Sequence, residues 1–177
     1  MKNTFLKTTV GTFLTLLMLF GCTQIFVSGQ ESETGNSPEE QIERARPSIV
    51  GAWRTAVTLR NCQTGLPVSP VGRGLLTFHE GGTLSEFNAS PALPPAMRSP
   101  GHGVWEEGHG RHHYSGVFVI NRYEATGVFI GTTKVRPAWE LSTSGNGYTS
   151  NASFEIFDAN DNLIGTGCAT GVGTRIE

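Results

Sequence analysis

The sequence predicts an all-β fold: a closed antiparallel up-and-down barrel of about eight strands, preceded by a short N-terminal helix. Three observations predict it. Glycine is abundant, 23 of 177 residues, and lies scattered among β-branched and aromatic runs, a pattern that favours short strands and tight turns over long helices. From Ile49 onward, apolar–polar alternation recurs at regular spacing between Gly, Pro, Asn and Asp clusters. Finally, the first and last of these runs fit a single antiparallel register.

The elements follow in order. Residues 1–29 read as an export signal: Lys2 and Lys7 precede an apolar stretch at 13–20 and then Gly21-Cys22. Leu19-Phe20-Gly21-Cys22 resembles a bacterial lipoprotein cleavage box, which implies lipidation of Cys22. Cleavage after Val27-Ser28-Gly29 would instead release a secreted protein. Retention of residues 8–27 would leave an anchor, since they approach the spanning length of ~20 residues. All three outcomes put the rest of the chain outside the cytosol, and two give it the membrane as partner, through a lipid or an anchor. Residues 30–47 read as tether and short helix. The stretch from 23 to 36 is polar and low in apolar content. Ser37 can then cap a helix, Pro38 suits its first turn, and Glu40 completes a capping box. The helix runs to about Arg46 and ends at Pro47.

Residues 48–177 form the β domain. In 51–59, Trp53, Thr55, Val57 and Leu59 share one face and Ala52, Arg54, Ala56 and Thr58 the other. Residues 61–72 are a loop rich in Pro and Gly. Strands at 73–79 and 83–87 flank the hairpin signal Glu80-Gly81-Gly82. A proline-rich connection spans 88–103, and 104–107 is a short strand. Residues 112–121 and 126–135 are strands around a turn near Tyr123-Glu124, and 138–143 continues them. Ser144-Gly145-Asn146-Gly147 is a turn. Strands at 148–157 and 162–176 flank Asp158-Ala159-Asn160-Asp161. Eight or nine strands at this spacing suit an up-and-down barrel or a sandwich.

The cysteines bear on that choice. Apart from Cys22 the chain has Cys62 and Cys168; an isolated pair in an exported domain usually forms a disulfide, the alternative being two buried thiols. Facing residues of an antiparallel pair have position numbers with a constant sum. That sum is 230 for Cys62 with Cys168 and 228 for Trp53 with Arg175, one diagonal step apart. Pairing the first strand with the last closes a meander into a barrel and removes its exposed edges.

Gly51-Ala52-Trp53 opening the first strand after a short helix, with Arg175 in the last strand, resembles the lipocalin or calycin superfamily, in a divergent bacterial form. The resemblance spans the strand pattern of residues 49–177. It implies that Trp53 packs at the closed end of the barrel with Arg175 lying across it. Such a pair has its own physical reason, since a guanidinium stacks on an indole while bonding to nearby carbonyls.

Functional signals are sparse. Net charge is −2, and without Lys2 and Lys7 the balance is 11 basic to 15 acidic residues; this argues against nucleic acid as a partner, because phosphate binding needs a basic field. His102, His109, His112 and His113 cluster, with His79 elsewhere, but they run along loop and strand, and no metal signature is completed. No metal and no cofactor are therefore expected. Glu80, Glu86, Glu106 and Glu107 could supply a general acid–base pair, although Glu106 and Glu107 point to opposite faces. Ser85, Ser90 and Ser99 lack a nucleophile elbow. The glycines between Gly165 and Gly173 lack the lysine of a phosphate loop and read as a strand with small residues on one face.

The aromatic residues are the better guide. Trp105 and Tyr114 combine a ring with a polar handle and, with Phe78, Phe118 and Phe129, are the expected ligand contacts; Trp53 and Phe154 read as plain core. The leading expectation is an exported lipocalin-like binding protein for a small apolar ligand, without catalysis. The alternatives are an envelope interaction module with a filled barrel and working loops at 88–103, and an isomerase or cyclase using Glu86 or Glu107 with a histidine.

Overall fold

The computed structural model describes residues 47–91 and 93–177. The export segment with Cys22, the tether and the expected helix over 37–46 lie outside the described residues.

Eight strands follow one another: β1 (Gly51–Arg60), β2 (Gly72–Phe78), β3 (Thr83–Ala89), β4 (Gly101–Glu107), β5 (His113–Tyr123), β6 (Phe129–Leu141), β7 (Gly147–Phe157) and β8 (Leu163–Arg175). Each pairs antiparallel with the next, and β8 returns to β1, so the sheet is a closed up-and-down barrel. A single 3-10 turn, Pro95–Met97, is the one helical element among the described residues.

The seam runs from Trp53↔Arg175 to Arg60↔Cys168. Cys62 lies two residues beyond Arg60 and reaches diagonally to Cys168. The two form a disulfide with Cα atoms 5.3 Å apart, as an oxidising compartment permits.

Most strand ends fall within three residues of the sequence-based expectation, β6 starting at Phe129 and β5 running on to Tyr123, and two differences change the pairing. The runs at 126–135 and 138–143 belong to one strand, β6, which passes straight through Pro137, so eight strands form and not nine. Pro137 has no N–H to donate, and the β5–β6 ladder skips there, from Ser115↔Ala138 to Phe118↔Val135. The β7 side stays in register, with Pro137 opposite Ala152. β4 starts at Gly101 and not at 104, because Glu86 of β3 already pairs with Gly101. The proline-rich connection is correspondingly shorter, and an Arg98↔Arg122 bridge fastens it to β5.

Strand direction gives the barrel two unlike ends. The β2–β3, β4–β5 and β6–β7 turns lie at the end that holds Trp53 and Arg175. This end is closed by a plug of Ile49, Trp53, Phe78, Leu84, Tyr114 and Leu141, all buried. Phe78 is its hub, edge-on to Trp139 at 4.9 Å and 82° and to Trp105 at 5.9 Å and 89°. Trp53 meets Tyr148 at 5.1 Å. Edge-to-face pairs of this kind add about 0.5–1.5 kcal/mol each beyond burial. The indole N–H of Trp53 donates to the Ile49 carbonyl at 2.9 Å. The Arg175 guanidinium lies over the ring, 4.3 Å from its centroid, and donates to the carbonyls of Val50 and Gly145, each at 2.8 Å, and of Ser48. Those carbonyls belong to loops with no sheet partner for them, so Arg175 supplies the hydrogen bonds that burial at this end would otherwise remove.

Candidate ligand cavity

Beyond the plug the barrel is hollow. The cavity measures about 380 Å³, within the range of about 300–1,000 Å³ typical of small-molecule sites. Leu76, Trp139 and Tyr148 are shared with the plug and form its floor. Val57, Leu59, Ile120, Val135, Phe154 and Ile156 supply most of the apolar wall. Residue size explains the hollow. Inward positions near the closed end carry Trp and Phe, whereas those at mid-height on β7 and β8 carry Ser150, Ala152, Ala169 and Gly171. At Gly167 and Gly173 a Cβ would overlap the rings of Phe154 and Tyr148 opposite. Those rings lie over bare backbone, so the glycines draw aromatic bulk against the wall.

One side of the cavity is polar. Arg98 comes from the β3–β4 connection and is only 8% exposed. Its guanidinium pairs with both carboxylate oxygens of Glu86, donates to the Asn88 carbonyl at 2.6 Å, and donates from Nε to the Ser99 carbonyl at 3.0 Å. The connection is locked in turn to β5: the Ser99 amide donates to the Asn121 carbonyl, and the Asn121 amide donates to Ser99 Oγ, both at 3.0 Å. Burial pushes the Glu86 carboxyl above its ordinary value, with Arg98 opposing. Burial, reinforced by the Glu86 charge, raises the Tyr148 phenol well above its ordinary value and keeps it neutral. Asn88 and Arg122 complete this side. Asn88 Nδ2 and Arg122 Nη1 are buried and have no hydrogen-bond partner among the described residues.

The structure distributes the five expected ligand contacts unequally. Phe118 lines the cavity and also packs on the plug. Phe78 and Tyr114 lie within the plug, and Trp105 packs against it with its indole N–H donating to the His79 carbonyl at 3.1 Å. Phe129 is 44% exposed and packs against Tyr123 at the other end of the barrel. Trp53 is core, as expected, whereas Phe154 is cavity wall. Glu86 faces inward beside Arg98. No histidine lines the cavity; His79, His102, His109 and His113 are exposed, as are Glu106 and Glu107. The isomerase reading therefore lacks the carboxylate–histidine pair it requires in one cavity. Among the described residues no three His, Cys, Asp or Glu side chains come together as a metal site.

Sequence reasoning missed Asn88, Arg98 and Arg122. Parity was the available signal for two of them. Asn88 shares its face with Leu84 and Glu86, and Arg122 shares its face with Phe118 and Ile120. Arg98 sits in the connection, where no period applies.

No known protein family, no curated protein and no solved structure matches the chain.

Proposed function

We propose that this is an exported, lipocalin-like binding protein that holds one small, largely apolar molecule inside the barrel and does no chemistry on it. The cavity carries this reading: an apolar hollow of about 380 Å³ over a packed floor is what a carrier needs and what a filled-barrel interaction module lacks. Two further features support it. The connections and strand ends at the open end expose Leu66, Val68, Val128, Phe129, Leu163 and Ile164, an apolar rim suited to a ligand that arrives from a lipid or another protein. The disulfide at the same end fits a life outside the cytosol. Lipidation at Cys22 would hold the barrel at the cell envelope.

Native mass spectrometry of protein purified from its own host should show a bound small molecule. The neutral apolar dye N-phenyl-1-naphthylamine should bind and brighten, and Ala152→Phe, which fills the hollow from β7, should abolish the signal while the fold persists by circular dichroism. A barrel that emerges empty and ignores the dye sinks the proposal; so does a dye signal that Ala152→Phe leaves unchanged.

A further inference from the structure

We infer that the ligand bears an anionic oxygen headgroup, a carboxylate, and that Arg122 with Asn88 receives it; this rests on the carrier reading above. The reason is an imbalance of charge and of donors in the cavity wall. Among the described residues, two arginines line the cavity, Arg98 and Arg122, but only one carboxylate, Glu86. Glu86 is committed to Arg98, which spends its remaining donors on the carbonyls of Asn88 and Ser99. Arg122 has no ion-pair partner among the described residues, and its Nη1 is buried without an acceptor. Asn88 Nδ2 is in the same condition.

The two orphaned donors flank a common structure. Arg98 bonds to the Asn88 carbonyl on one side, and its backbone bridges to Arg122 on the other. Arg122 is only half-buried, but its Nη1 is cut off from solvent, and a charged donor so placed is costly unless an acceptor accompanies it. Water can satisfy a donor, but it cannot neutralise the charge. A carboxylate does both, because its two oxygens match the fork of a guanidinium. Position sets the orientation of the ligand. Arg122 is the penultimate residue of β5 at the open end, while Leu76, Trp139 and Tyr148 form an apolar floor below. The apolar body goes down and the headgroup stays near the mouth.

The test compares dodecanoate with dodecanol, equal in chain length and different in charge, by calorimetry on the full chain. Dodecanoate should bind about tenfold or more tightly than dodecanol. Arg122→Met should remove about that factor for dodecanoate and leave dodecanol unchanged. Arg122→Lys, which keeps the charge without the fork, should give an intermediate affinity. Equal affinities of the two probes for the wild-type protein, a result that needs no variant, would overturn the headgroup site while leaving the cavity reading intact. So would an equal loss of both probes in Arg122→Met. If neither probe nor the neutral dye binds, the carrier reading falls and the headgroup site falls with it.

Discussion

The two ends of this barrel use the same alternation of inward and outward residues for opposite purposes. At the Trp53 end the inward positions are large, and every polar atom of Arg175 that reaches in finds a carbonyl. At the other end the inward positions on β7 and β8 are small, and Arg122 Nη1 and Asn88 Nδ2 find no partner among the described residues. The packed core is therefore concentrated in the plug, and the hollow end is left with less packing. Binding sites often carry polar groups that packing alone does not satisfy, and this division lets the barrel carry them without losing its fold.

Substitutions at the two ends should show the contrast directly. Trp53→Ala is expected to have the largest effect, about 3–5 kcal/mol in urea unfolding, since it empties the centre of a packed plug. Phe154→Ala, on the cavity wall, should cost about half that, because much of its surface already borders empty space. Equal costs would break the distinction between plug and hollow. Removing the disulfide by Cys62→Ser with Cys168→Ser should cost about 2–4 kcal/mol, although it sits at the hollow end. It closes a loop spanning 106 positions and acts mainly on the unfolded chain, whatever packs around it.

Arg98→Met should cost about 2 kcal/mol at neutral pH, by leaving Glu86 desolvated without its cation; the neighbouring cavity admits water and softens the penalty. Its pH dependence sharpens the point. Burial already raises the Glu86 pKa in the fold, and loss of Arg98 raises it further. The folded state then holds a proton that the unfolded chain releases near pH 4.3, the ordinary value of about 4.3 for glutamate. Stability of the variant thus falls as pH rises from that range through the elevated folded value, and the deficit fades again in acid. The smallest effect belongs to the wild-type protein, in which the same fall should be present but shallow, and Glu86→Gln should flatten it. A deficit in Arg98→Met that is constant with pH would show that the pair does not respond to the charge on Glu86.

Much of the fold was legible in the sequence because it depends on local chemistry. Turn residues marked the hairpins, and alternation marked the strands. The constant-sum relation between Trp53 and Arg175 is the observed register of the seam. β6 was split at Pro137 because a proline usually interrupts a ladder. Here the strand accommodates it by leaving one side of the ladder open. The ligand contacts were less legible. Alternation says that Phe78, Trp105, Tyr114 and Phe118 face inward, but it does not say at what height. Their distance from the hairpins was the usable signal. Phe78 is the last residue of β2, and Trp105 and Tyr114 flank the β4–β5 turn, which puts all three at the Trp53 end.

The amino-acid sequence by itself determined most of the strands, the seam and the pairing of Cys62 with Cys168, because each follows from neighbours along one strand or from a single register. Only the tertiary structure decided that the barrel is solid at one end and hollow at the other, and that Glu86 and Arg98 are partners while Arg122 has none among the described residues. Those properties depend on how the side chains of eight strands stack along the barrel axis, and on a connection that folds inward without any period to announce it.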